Sequence, residues 1–109
     1  MLQEITENHK LDEQGNPAGG YTSGCGISIE WQNGPLAVDG VRKEPTGAFV
    51  EGVIAATIGR IEFYQTASNK KFACRENALA MTHLQEALHW LQHRTADRER
   101  RQVEGTHQV

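Results

Sequence analysis

The strongest constraint on this chain lies in its last third, where one face of a long helix can be read almost without a break. Asn77, Ala80, Met81, Leu84, Ala87, Leu88, Leu91, Arg94, Thr95 and Arg98 recur at steps of three and four, with adjacent pairs that widen the face. That is the period of a single helical face. The middle of the stripe is apolar, whereas its ends carry an amide and two guanidinium groups. The pattern therefore predicts a packing seam with a polar pocket at each end. A helix over residues 72–101 would be about 45 Å long at 1.5 Å rise per residue. It would outreach a 109-residue globule, and a helix of that kind normally lies along a second copy of itself.

Length and composition bound the remaining possibilities. A chain of 109 residues has room for one domain, and with 38% apolar but only 6% aromatic residues a solitary monomer would have a modest core. The net charge is −3, from 11 Lys and Arg against 14 Asp and Glu. This argues against a general nucleic-acid binder, which usually carries a basic excess, but not against a small anionic ligand held by a few placed arginines. Cys25 and Cys74 match no metal or redox spacing, so reduced thiols are expected. The N-terminus shows no signal-peptide pattern, and no stretch approaches the roughly 20 apolar residues of a membrane span. The expectation is a soluble intracellular chain.

Residues 1–20 are polar and end in Gly15, Asn16, Pro17, Gly19 and Gly20, which predicts a flexible tail preceding a single domain over residues 21–109. In residues 22–32, Cys25, Ile27, Ile29 and Trp31 alternate with small and polar residues, the period of a half-buried strand. Asn33-Gly34 then signals a turn into a short return strand over residues 35–38. A lone hairpin is marginal in water and must bury its apolar face on helices. Thr46 is a plausible N-cap for a first helix over residues 48–65, whose apolar residues spread over more than one stripe and call for partners on several sides. Gly52 and Gly59 weaken that helix, and close approach of another backbone would compensate. Ser68 or Asn69 can cap the second helix. The fold class is α+β: a short N-terminal β-hairpin packed on two long antiparallel α-helices in a helix-mediated oligomer.

Several residues bear on chemistry. Asn77 precedes Arg94 by 17 residues (77 to 94), about 25 Å along one helix, so a single copy cannot bring them together. In an antiparallel dimer, Asn77 of one copy would lie near Arg94 and Arg98 of the other. Each of two equivalent pockets would then offer guanidinium groups suited to phosphates and an amide that reads a base or ribose edge. Tyr64, Phe72 and Trp31 are candidates to stack a base. A plainer alternative stands beside this: arginines in a final turn complement the helix dipole and pair with Asp97 or Glu99. Against it, Arg94 and Arg98 continue the apolar stripe. Lys71 and Arg75, with Lys70, place cations where the dipole disfavours them, which hints at a bound phosphate, an exposed basic turn being the alternative. Glu86-x-x-His89 with His93 is half of a bundle metal site without its other half, so no metal is expected. The glycines around Tyr21–Gly26 lack a following Gly-Lys-Ser/Thr, so they do not make a nucleotide-hydrolysing loop. No cofactor and no catalytic set is apparent.

The segments Gly47-Ala48-Phe49-Val50-Glu51, Phe63-Tyr64-Gln65, Phe72-Ala73-Cys74-Arg75-Glu76-Asn77-Ala78-Leu79 and His93-Arg94-Thr95-Ala96-Asp97-Arg98-Glu99, with the ending Val103-Glu104-Gly105-Thr106-His107, resemble phage proteins of the Thoeris anti-defence sponge family, related to the anti-CBASS cyclic-oligonucleotide sponges. The likeness covers residues 22–109. It implies a non-enzymatic protein that sequesters cyclic nucleotide immune signals in the cytoplasm of an infected bacterial host. The implied ligands are cyclic ADP-ribose isomers with a glycosidic ring closure and, in some members, cyclic di- and trinucleotides. It also implies a small β element with two long helices, assembled as dimers and as trimers of dimers. The family's ligand residues fall on Asn77, Arg94 and Arg98, with an aromatic wall near Tyr64, although the loop over residues 66–71 looks longer here. Two rival readings are an enzyme that cleaves the same messengers and a structural oligomer whose seam serves assembly alone.

Overall fold

The computed structural model describes residues 4–38 and 40–100, with the side chains of all of these except 37, 38 and 98–100. The chain is α+β. A three-stranded antiparallel sheet in the order β1-β2-β3 is built from β1 (Thr6–Leu11), β2 (Pro17–Gly24) and β3 (Ile27–Asn33). A two-residue pair, β4 (Ala37–Val38) with β5 (Val41–Arg42), precedes two helices, α1 (Val50–Lys70) and α2 (Arg75–Arg100). Two compact units follow the chain, one reaching to Phe49 and the other spanning Val50–Asp97. Among the described residues no helix is long and apolar enough to cross a membrane.

The segment expected to be a flexible tail instead supplies β1 and the first half of β2. Hydrophobicity gave no signal because all six residues of β1 are exposed. The strand is specified by main-chain pairing and by its turn, where the Asp12 carboxylate accepts hydrogen bonds from the backbone N–H groups of Gln14 and Asn16, both at 2.9 Å. The strand expected over residues 22–32 is broken at Cys25-Gly26. Gly24 pairs with Ile27, leaving a two-residue loop with φ of 48° at Cys25 and 85° at Gly26. Positive φ at both central residues is the turn that matches strand twist in a tight hairpin. The Asn33-Gly34 turn does not return a strand onto β3, because Ala37 and Val38 pair with Arg42 and Val41.

The outer edge of β3 is occupied instead by residues 46–48. The Ala48 N–H donates to the Glu30 carbonyl at 2.7 Å, and the Gln32 N–H donates to the Ala48 carbonyl at 3.0 Å. The Gln32 side-chain carbonyl accepts from the backbone N–H groups of Thr46 and Gly47. Thr46 is therefore not the N-cap of α1. Its hydroxyl accepts the Asn33 N–H at 3.2 Å, which satisfies an edge donor that would otherwise invite foreign pairing. At the sheet centre Thr22, 7% exposed, accepts the Trp31 indole N–H at 2.9 Å. Trp31 stands opposite Gly20, whose φ is 129° and where a Cβ would run into the Asn8 carbonyl oxygen.

In α1 the backbone is helical to Thr66. Ala67 then turns extended (ψ 148°), and Ser68, Asn69 and Lys70 are left-handed, with φ of 53°, 56° and 66°. Phe72, expected inside the second helix, lies in this turn. The residue that precedes α2 is Cys74, not Ser68 or Asn69, and its carbonyl accepts the Ala78 N–H. Half-buried positions include Ile54, Ile58, Ile61 and Gln65 on α1, and Asn77, Met81, Leu84, Leu88, Leu91 and Thr95 on α2. Steps of three and four are the spacing of a coiled-coil seam. Yet among the described residues no hydrophobic side chain is buried, and Phe63, Phe72 and Trp90 are more than half exposed. A Cβ added at Gly52 or Gly59 would meet nothing within 4 Å, so the close approach expected at these glycines is not made by any of the described residues.

Candidate functional site

The turn between the helices builds a cavity of about 240 Å³ lined by Phe63, Tyr64, Ala67, Ser68, Phe72 and Asn77. Gln65 sets its geometry. The carboxamide oxygen accepts the Cys74 N–H at 2.9 Å, and its nitrogen donates to the Cys74 carbonyl at 3.1 Å. One side chain thus holds both polar groups of the peptide unit that opens α2. This locks Phe72, two residues before, and Asn77, three residues after, beside the aromatic end of α1. The left-handed run at Ser68–Lys70 gives the turn its sharpness, with the Lys71 N–H bonded to the Ser68 carbonyl and the Ala73 N–H to the Lys70 carbonyl.

Three of the residues singled out in the sequence, Tyr64, Phe72 and Asn77, meet in this cavity. The Phe63 and Tyr64 rings are tilted by 57° with centroids 5.8 Å apart, which makes a two-ring wall. Rings at that separation lie within the range for favourable aromatic contact and present faces on which a base can stack. Asn77 is half-buried at the rim. The Lys71 ammonium sits 5.5 Å from the Phe72 ring centroid, so the basic turn borders the same aromatic group. Arg75 is exposed at the first position of α2, and Arg94 is exposed near its other end. Arg94 is not brought to Asn77 within one copy, since 17 residues of helix separate them by about 25 Å. The side chain of Arg98 lies outside the described residues, as does the segment 103–109.

Two residues with a large part in this site carried no sequence signal of their own. Gln65 was legible only as a polar end of a helix, although a long amide at a helix terminus is able to cap the next one. Arg60 lies one turn before the aromatic pair, with its Cζ 4.9 Å from the centroids of both Phe63 and Tyr64. The spacing 60, 63, 64 is the i, i+3, i+4 pattern that brings side chains together on a helix.

Elsewhere, Trp31 belongs to the sheet, where it lines a second cavity of about 320 Å³ with Lys10, Tyr21, Glu30 and the Gly19–Gly20 backbone. The Glu86 carboxylate lies 3.9 Å from His83, and His89 and His93 set their edges against Trp90. Among the described residues no group of three or more His, Cys, Asp or Glu could hold a metal ion. Cys25 and Cys74 are both free and exposed.

A model of the Acb2/Tad1 hairpin domain matches residues 27–96, from β3 through most of α2. A protein named Thoeris anti-defense 1, from Bacillus phage SBSphiJ7, is 46% identical over 81 residues, which cover 74% of this chain and 52% of that protein. The chain spans about half the length of that curated relative.

Proposed function

This chain belongs to the Acb2/Tad1 hairpin-domain family, and we propose that it is a phage anti-defence protein acting as a non-enzymatic sponge. It binds a cyclic nucleotide immune signal and holds it away from its effector in the cytoplasm of the infected host. The ligand class is the glycosidically closed cyclic ADP-ribose isomers, with cyclic di- and trinucleotides as a further class. The observation that carries this reading is the meeting of Tyr64, Phe72 and Asn77 in one cavity beside Phe63. An aromatic wall supplies a stacking surface worth roughly 1–3 kcal/mol per base, and the amide at the rim supplies edge recognition.

The size of the cavity bears on assembly. About 240 Å³ falls below the roughly 300–1,000 Å³ of ordinary small-molecule sites. One copy therefore offers part of a site, and Arg94 and Arg98 of a second copy complete it with bidentate phosphate donors. The heptad-spaced seams and the absence of any buried hydrophobic side chain among the described residues support a homo-oligomer, a dimer assembled further into a trimer of dimers.

A sponge acts by stoichiometry and slow release, so its affinity is expected in the nanomolar range, about −12 kcal/mol. The test is a thermal-shift panel of cyclic ADP-ribose isomers and cyclic di- and trinucleotides, followed by recovery of the ligand from heated complex. A large shift with intact recovered nucleotide supports the sponge. A cleaved product would mean an enzyme, and no shift with any of them would leave a structural oligomer.

A further inference from the structure

We propose that Arg60 is a phosphate-binding residue of the aromatic cavity, held in place for that task by Phe63 and Tyr64; this rests on the sponge reading above. Its guanidinium sits over both rings, with Cζ 4.9 Å from each centroid, and its Nε–H donates to the Tyr64 hydroxyl at 3.1 Å. A guanidinium carries five N–H donors in a planar fork. The hydrogen bond to Tyr64 uses the one on Nε, which leaves the four on the two terminal nitrogens without an acceptor among the described residues. The residues three and four positions away on α1 are Ala56, Thr57, Phe63 and Tyr64, so the helix offers it no carboxylate.

The two rings that orient the guanidinium are also walls of the cavity. A planar cation fixed on two rings of the cavity wall, with its terminal donors uncommitted, fits the bidentate recognition of a phosphate oxygen pair. The ligand class is an organic phosphate or pyrophosphate whose base or ribose lies against Phe63 and Phe72. Arg60 is on the same copy as Asn77 and rests on Phe63 and Tyr64, two rings of the cavity that Asn77 also lines, whereas Arg94 is about 25 Å from Asn77 along α2. Each half-site thus carries its own cation, and phosphate binding does not rest on the second copy alone. Tyr64 then has two tasks, as a stacking wall and as the acceptor that sets the rotation of the guanidinium. A rung of cation on two rings that serves helix stability alone would have the same geometry, and ligand binding separates the two.

The experiment compares wild type, Arg60→Gln and Arg60→Lys in the full chain, by calorimetry, with a glycosidically closed cyclic ADP-ribose isomer and with adenosine as the phosphate-free probe. The expected result is a loss of tenfold or more for the cyclic ADP-ribose isomer in Arg60→Gln and a smaller loss in Arg60→Lys. Adenosine binding should stay within twofold of wild type, and where adenosine binding is below detection in all three proteins the cyclic ADP-ribose comparison decides. Binding of the cyclic isomer by Arg60→Gln within twofold of wild type overturns the proposal and leaves the sponge reading intact. Equal losses for both probes also overturn it, since Arg60 would then shape the stacking wall and not bind phosphate. A wild-type protein that binds neither probe overturns the sponge reading and this proposal with it.

Discussion

Replacing Gln65 by Ala isolates the device that joins the two helices. The side chain makes two hydrogen bonds to one residue, at 2.9 Å from the Cys74 N–H and 3.1 Å to the Cys74 carbonyl. Each such bond contributes a net ~0.5–1.5 kcal/mol, and at this exposed turn water can replace part of what is lost. The expected destabilisation is therefore about 1–2 kcal/mol. For a chain of this length that corresponds to a fall in Tm of roughly 4–8 °C, measured by circular dichroism at fixed protein concentration. Gln65→Asn keeps the amide but is one methylene too short to span both groups, and should behave like Ala. Gln65→Glu retains the acceptor at the positive end of α2 and loses the donor to the carbonyl, so it should fall between wild type and Ala. Because the clamp places Phe72 and Asn77, ligand affinity should fall along with stability. A Tm change below 1 °C in both Gln65→Ala and Gln65→Asn would refute the clamp. An Asn variant equal to wild type would mean that a single bond suffices.

Other substitutions test separate parts of the chain. Gly20→Ala places a Cβ against the Asn8 carbonyl at a φ of 129°, and should cost about 2–5 kcal/mol, seen as loss of hydrogen-exchange protection across β1 and β2. Lys70→Gly relieves a left-handed residue (φ 66°) at the cost of unfolded-state entropy. The net gain should be about 0.5–1 kcal/mol, read as a rise in Tm of a few degrees. Arg94→Ala should weaken ligand binding by about 2–4 kcal/mol without lowering the Tm of the free protein, because Arg94 is exposed in one copy.

What could be read from the sequence was whatever leaves a periodic or compositional trace. The α2 stripe was legible because Met81, Leu84, Leu88 and Leu91 repeat at helical spacing, and these are half-buried positions in the structure. Asn77 was legible as the polar end of the α2 stripe, and Tyr64 and Phe72 as aromatics able to stack a base; that the three line one cavity was not legible, because it depends on the turn that takes Phe72 out of the helix. The β1 strand was not legible, since none of its side chains is buried and its pairing is a property of the backbone and of the Asp12 turn. The break at Cys25-Gly26 was hidden because Cys25 continues the alternation of Ile27, Ile29 and Trp31, although the hairpin it opens puts even-numbered residues of β2 on the face of odd-numbered residues of β3. Helix ends were misplaced by a few residues at the turn because Ser68 and Asn69 are good caps by type, but their left-handed φ puts them in the turn and not at a helix start. Arg60 carried no signal of its own, because an arginine in a helix interior is ordinary until its neighbours one turn on are both seen to hold it.

Assembly and binding are coupled if each cavity is completed by Arg94 and Arg98 of a second copy, and the coupling has a size. A ligand that binds only the assembled form stabilises it by RT ln(1 + [L]/Kd), about 2.7 kcal/mol per site at a hundredfold excess over Kd. Two equivalent sites in a dimer then contribute roughly 5.4 kcal/mol, which lowers the dimer dissociation constant by about 10⁴-fold. Analytical ultracentrifugation at nanomolar concentration, with a fluorescently labelled chain, measures this directly. The expected result is dissociation on dilution in the free protein and a dimer that survives the same dilution with ligand. The shift should shrink in Arg94→Ala, because that variant keeps the seam and loses part of what makes the ligand distinguish dimer from monomer. A ligand that binds tightly while leaving the dissociation constant unchanged would mean that each copy holds it alone. In that case the small cavity at the helix turn, with Arg60 beside it, would be the whole site.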